Sequence, residues 1–121
     1  MKRIYVCHKS IENETEKKEV IAFCKYIKDM GNLPLAPSIH FLHFIADEKE
    51  DRGFYKTAKL SILSSCSELW YFGDTITTSM TDEICFAMEK GKRVLYITKE
   101  TFEKYLESKG EQEDGKRARV G

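Results

Sequence analysis

The carboxylates Asp74 and Glu83 are the residues of this sequence whose type and spacing best suit chemistry. Asp74 follows the aromatic and branched run 69–72, which is typical of a buried strand, and Glu83 falls in the first turns of the helix predicted next. That helix has an apolar stripe at i, i+4 and i+7 spacing, formed by Met80, Ile84 and Ala87. Glu83 lies on or beside the stripe, near the positive end of the helix dipole, where a carboxylate should stay ionised. An ionised carboxylate there suits a nucleophile or a group that binds ligand hydroxyls.

Strand-like and helix-like segments alternate along the chain, and the fold that they form must position the two carboxylates. Short apolar runs predict strands over residues 4–7, 33–36, 68–72 and 93–97. Helical spacing predicts four helices: one ending at Gly31, one from about Gly53 to Ser65, one from Met80 to Lys90, and one from Thr98 to about Leu106. Residues 38–51 are predicted to form a loop or an irregular helix, and the polar residues 109–121 a disordered tail.

Strands separated by helices predict parallel pairing with right-handed crossovers. We therefore expect an α/β protein, a three-layer α/β/α sandwich of the Rossmann or flavodoxin-like class, with four strands in the order 2-1-3-4. Pro34 suits an edge strand because proline has no N–H to donate. In this order, ligands bind beyond the carboxyl ends of the first and third strands. The loops there are residues 7–10 and 73–79, and the second of these leads into Glu83.

The charge balance excludes a strong general attraction to polyanions. Of the 121 residues, 20 are Lys or Arg and 20 are Asp or Glu, so the formal net charge is zero. We therefore expect no nucleic-acid partner and no membrane association, since no apolar run approaches membrane-spanning length. Met1 leads directly into a strand-like run without a signal-peptide pattern. These features predict a cytoplasmic domain whose partner is a small molecule or another protein.

The four cysteines and three histidines do not have metal-binding spacing, so no metal site, disulfide framework or cofactor is expected. Cys24, Cys66 and Cys85 fall in or beside apolar segments and are interpreted as small buried residues. Cys7 ends the first strand, where ligands collect in an open parallel sheet, and is therefore a candidate pocket residue. Among the histidines, His8 has the best position for a role in the site.

Several short motifs, taken together and in order, resemble the nucleoside 2-deoxyribosyltransferase-like family, and specifically its small bacterial and phage domains. The motifs are IYVC at 4–7, GNLPLAP at 31–37, DRG at 51–53, CSELWYFGD at 66–74, MTDEI at 80–84 and GKRV at 91–94. The resemblance extends over most of residues 3–97 and predicts a domain of that kind over residues 1–108.

The resemblance implies chemistry at an N-glycosidic bond, with a nucleoside or a nucleotide as the small-molecule substrate. A glutamate at the position of Glu83 would attack the anomeric carbon of the sugar and pass the sugar to another base or to water. Asp74 would supply or relay a proton, or bind a hydroxyl. The resemblance also implies a homo-oligomer and a set of residues for base stacking, proton transfer, phosphate contact or close approach to the sugar: Tyr5, Cys7, His8, His40, Arg52, Ser79 and Met80.

Departures from the family pattern leave alternatives open. Ser79 stands where relatives usually have a glycine, and the loop after the first strand has no glycine to wrap a phosphate. The helix before the third strand reads YKTA at 55–58, without the acid that deoxyribosyltransferases place there. A non-catalytic module that binds or sequesters a nucleotide-like ligand in the same crevice is therefore the second hypothesis. An assembly component with a vestigial pocket is the third.

Overall fold

The sheet consists of β1 (Arg3–Cys7), β2 (Leu33–Leu35), β3 (Glu68–Phe72) and β4 (Arg93–Ile97). All its pairings are parallel, and the strand order is β2-β1-β3-β4. The predicted order and the Rossmann or flavodoxin-like class are therefore confirmed. Strand β2 lies at one edge, as Pro34 indicates.

The computed structural model describes residues 1–45, 49 and 51–120, with side chains up to residue 110. Its helices are α1 (Glu14–Asp29), α2 (Pro37–Phe41), α3 (Arg52–Ser65), α4 (Thr78–Glu89) and α5 (Lys99–Val120). The short helix α2 falls within the predicted loop or irregular helix 38–51, of which residues 46–48 and 50 lie outside the described residues. Helix α5 continues beyond the predicted end near Leu106. The domain boundary at residue 108 stays a prediction.

Alternate residues of each central strand pack against different helices, which produces the three layers. On one face, Ile4, Val6 and Trp70 pack in a cluster with residues of α1, and Phe102 of α5 packs against it. On the other face, Tyr5, Cys7 and Leu69 pack with buried residues of α3 and α4. The second face is the one that carries Glu83, because α4 covers it.

Glycines in the left-handed region end two of the helices and one strand. Gly31 follows α1 with φ of 86° and Gly91 follows α4 with φ of 70°, and each returns the chain to the sheet. Gly73 has φ of 103° and turns the chain out of β3 into the loop that precedes α4. Within the described residues, no helix combines the length and the apolar character needed to cross a membrane.

Candidate active site

Helix α4 presents Glu83 toward the C-terminal half of β1. Thr77 caps the helix, since its side-chain oxygen accepts a hydrogen bond from the Met80 N–H at 3.2 Å. Met80 and Ala87 face the sheet and are fully buried. Glu83 lies on the same side of the helix and is only 6% exposed, as its place on the apolar stripe predicts. A carboxylate that is removed from water in this way needs partners.

Three side chains supply those partners. The Tyr5 hydroxyl donates a hydrogen bond to Glu83 Oε1 at 2.6 Å. The Lys59 Nζ lies 3.3 Å from the same oxygen, and the Lys59 side chain is 17% exposed. The Cys7 thiol lies 3.8 Å from the other oxygen, Oε2, and 3.9 Å from the carbonyl oxygen of Met80. Among the described residues, Oε1 therefore receives the strong interactions, and Oε2 receives only a weak one.

The ionisation of this cluster is set by burial and by the charges it contains. Burial raises the pKa of Glu83, while the positive charge of Lys59 and the hydrogen bond from Tyr5 act in the opposite direction. Burial, reinforced by the negative charge of Glu83, raises the pKa of the Tyr5 hydroxyl and of the Cys7 thiol. Both groups are therefore protonated hydrogen-bond donors at neutral pH, and Cys7 is not an activated nucleophile.

A cleft of about 580 Å³ lies between α3 and α4, and Glu83 is among its lining residues. We call it the α3–α4 cleft. The remaining lining residues are Arg52, Tyr55, Lys56, Lys59 and Leu60 from α3, and Ser79, Asp82, Cys85, Phe86 and Glu89 from α4. The prediction that Cys85 is buried is wrong: its side chain is exposed, because it lies on the side of α4 that faces the cleft and not the sheet.

Some of the predicted ligand-binding residues line the α3–α4 cleft, and others lie behind the Glu83 carboxylate. Arg52 and Ser79 line the α3–α4 cleft and are exposed. Tyr5, Cys7 and Met80 are almost fully buried and do not line it. Of these, Tyr5 and Cys7 contact the Glu83 carboxylate from the sheet side, so their place is behind the carboxylate and not in the space open to a ligand.

His8 and Asp74 line a different cleft. It has a volume of about 620 Å³ and lies on the opposite face of the sheet, between α1 and α5, with Phe23 and Phe102 among its lining residues. The Asp74 side chain is 65% exposed and forms an ion pair with Lys99 at 3.6 Å. The structure therefore does not bring Asp74 into the cleft that contains Glu83.

His40 lies on α2 and is exposed. Its ring is part of an aromatic group, with centroids 5.9 Å from Phe41 and 5.3 Å from Phe44. Phe41 in turn lies 5.2 Å from the ring of Tyr55, which lines the α3–α4 cleft. His40 is thus connected to the cleft through packed rings but is not one of its lining residues.

His8 follows β1 directly and is 9% exposed. Its Nδ1 lies 2.6 Å from the carbonyl oxygen of Lys9, which fits a tautomer whose Nδ1–H donates to that oxygen. Burial lowers the pKa of His8 to about 4. At neutral pH the ring is therefore uncharged and its Nε2 is an acceptor.

The low pKa of His8 predicts a pH-dependent stability. The unfolded chain binds a proton at His8 below about pH 6.5, whereas the folded chain does not until about pH 4, so stability is lost across this window as the pH falls. The free energy of unfolding should lose roughly 3 kcal/mol there. His8→Gln should flatten this slope in urea titrations at several pH values. His43→Gln, at an exposed histidine, should keep it, and equal slopes for wild type and His8→Gln would contradict the prediction.

Lys59 is a site residue that sequence reasoning missed. Its ammonium group contacts Glu83 and also lies 5.1 Å from the ring centroid of Tyr55. A signal was present, because Arg52, Lys56 and Lys59 have the i, i+4, i+7 spacing of one helix face. That spacing predicts a basic stripe, but only the packing of α3 against α4 joins the stripe to a carboxylate.

Comparison with solved structures shows a likeness of fold. The 2-deoxyribosyltransferase from the psychrotolerant bacterium Bacillus psychrosaccharolyticus superimposes with a TM-score of 0.64 at 20% sequence identity, covering 79% of this chain and 72% of that one. The chain therefore has a nucleoside deoxyribosyltransferase-like fold. Comparison with curated protein sequences gave no match.

A family model covers most of the chain, including the whole sheet and helices α1 to α4. It matches residues 2–97, from the residue before β1 to the last residue of β4, and so includes Glu83 and its three partners. The chain belongs to the family described as Domain of unknown function (DUF7768).

Proposed function

We propose that this protein cleaves the N-glycosidic bond of a nucleoside or nucleotide, with Glu83 as the nucleophile. The observation that carries the proposal is the buried Glu83 carboxylate at the wall of a cleft, with Oε1 held by Tyr5 and Lys59. Nucleophilic catalysis by a carboxylate needs such a group, fixed in orientation and kept ionised by neighbours. The deoxyribosyltransferase-like fold and the family motifs around Glu83 give further support.

In the proposed reaction, the Glu83 carboxylate attacks the anomeric carbon of a sugar bound in the α3–α4 cleft. A bond forms between a carboxylate oxygen and that carbon as the bond from the carbon to the base nitrogen breaks. The base nitrogen keeps the electron pair of the broken bond and accepts a proton from water. Water or a second base then attacks the same carbon and releases the Glu83 carboxylate, and the proton that this nucleophile loses neutralises the hydroxide left by the first step, which gives hydrolysis or transfer of the sugar.

The Lys59 ion pair also favours a second candidate, a module that binds the ligand without turnover. A carboxylate with an ammonium group 3.3 Å from one oxygen is a weaker nucleophile than a free one. The same pair would still serve a binding protein, because Glu83 and Lys59 together present an acceptor and a donor at the cleft wall.

Release of a free base separates the two candidates. Wild-type protein is incubated with purine and pyrimidine nucleosides, in ribose and deoxyribose forms, and with their 5′-monophosphates. Chromatography then detects the free base, and intact-mass spectrometry detects a sugar adduct on the protein. We expect base release from at least one compound. A compound that raises the Tm without any base release would instead support the binding module and contradict the enzyme.

A further inference from the structure

The α3 wall of the α3–α4 cleft carries a row of cations. Arg52, Lys56 and Lys59 follow one another at i, i+4 and i+7 spacing, and all of them line the cleft. Lys56 precedes Lys59 by about one helical turn, roughly 4.5 Å along the axis, and Arg52 lies roughly one turn farther away. The row therefore begins at the Glu83 carboxylate and extends from it along α3.

Among the ion pairs of the described residues, only one neutralises a cation of this row, and it is the cation nearest to Glu83. Lys59 pairs with the Glu83 carboxylate. Within the part of the chain whose side chains the structure describes, Arg52 and Lys56 form no ion pair, and both are exposed in the cleft. Asp82 and Glu89 line the α4 wall, but neither is joined to this row by an ion pair. These two cations are thus open to an anionic ligand.

We infer that the substrate carries a phosphate, as a nucleoside 5′-monophosphate does, and that Arg52 and Lys56 bind this phosphate. The inference rests on the function proposed above, because it places the anomeric carbon beside Glu83. In a nucleoside 5′-monophosphate the sugar ring and one methylene separate the anomeric carbon from the phosphate. That separation is similar to the one helical turn between Lys59, at the carboxylate, and Lys56.

The chemistry of the two side chains agrees with this assignment. A guanidinium binds phosphate oxygens through paired N–H donors, and an ammonium adds a compact positive charge. Tyr55, which lies between them in sequence and lines the same cleft, adds an aromatic surface. An unphosphorylated nucleoside would leave Arg52 and Lys56 without a partner in the cleft.

The test compares a nucleoside with its 5′-monophosphate in matched charge variants. Arg52→Gln/Lys56→Gln removes the two open cations from α3. The control Lys25→Gln/Lys28→Gln removes two exposed lysines from α1 that line neither cleft. Calorimetry measures the Kd of both ligands, and chromatography measures kcat/KM for base release.

The α3 variant should bind the monophosphate about 10-fold to 100-fold more weakly, through the loss of charge-assisted hydrogen bonds. Its affinity for the nucleoside should stay at the wild-type value, and the control should bind both ligands as the wild type does. Equal losses for both ligands, an equal loss in the control, or no preference of the wild type for the monophosphate would overturn the inference.

The outcomes also separate this inference from the proposed function. Base release from nucleosides, with no preference for monophosphates, would refute the phosphate assignment and keep the enzyme. Monophosphate binding that depends on Arg52 and Lys56, without base release from any compound, would refute the enzyme and keep the phosphate site. Absence of both binding and base release for every monophosphate would refute both.

Discussion

Glu83→Gln is expected to lower base release by at least on the order of 10³-fold, because it removes the proposed nucleophile. Glutamine has nearly the shape of glutamate, so the side chain can still accept the hydrogen bond from Tyr5 at its amide oxygen. Ligand binding should therefore be retained while turnover is lost. The measurements are kcat by chromatography of the free base and Kd by calorimetry on the same protein sample.

The matched control for this prediction is Asp82→Asn. Asp82 is the neighbouring residue on α4, lines the same cleft and is exposed, so this variant also removes one negative charge from the cleft. It should retain most of the activity, because Asp82 is not enclosed and, among the described residues, has none of the partners that Glu83 has. If Glu83→Gln turns over substrate as fast as Asp82→Asn does, Glu83 is not the nucleophile.

The sheet was predictable because short stretches of sequence determine it. Gly31, Gly73 and Gly91 each have positive φ and each lies at an element end that the sequence predicts. Strands joined through helices then pair in parallel with right-handed crossovers, which leaves few possible orders. The length of α5 was not predictable in this way, since its apolar residues end near Leu106 while the helix continues to Val120.

The site was predictable only where its position depends on a single helix. Glu83 is buried because it lies on the apolar stripe of α4, and that stripe is visible in the sequence. Its hydrogen bond to Tyr5 spans 78 positions of the chain and depends on how α4 packs on the sheet. Asp74 illustrates the same limit. Its position after β3 predicts at which end of the sheet it lies, but not over which face of the sheet its loop runs. Its loop carries Asp74 to the face covered by α1 and α5, where it pairs with Lys99.

Lys59→Met should destabilise the protein by about 3–5 kcal/mol at neutral pH, the range for breaking a buried ion pair by removal of one partner. The Lys59 and Glu83 side chains are 17% and 7% exposed, so the remaining carboxyl group would be enclosed and supported mainly by Tyr5, and keeping it ionised would cost free energy. Urea unfolding measured by the fluorescence of Trp70, the single tryptophan of the chain, gives the free energy of unfolding. Lys56→Met, at an exposed position on the same helix, should change it by no more than about 0.5 kcal/mol.

The pH dependence and a double variant show whether this loss comes from the charge. Burial already raises the pKa of Glu83 above its ordinary value, and removal of Lys59 raises it further. A carboxyl group with a raised pKa in the folded state binds more protons when folded, so stability falls as the pH rises through the window between its unfolded and folded pKa. The stability lost in Lys59→Met should therefore shrink toward about pH 4 and grow toward neutral pH, and the acid limb of the pH profile for base release should move to higher pH.

The double variant Lys59→Met/Glu83→Gln should recover most of the lost stability, because no buried charge is then left. A deficit that is independent of pH and persists in the double variant would show that Lys59 acts through packing, and that its charge does not hold Glu83 in its ionised form.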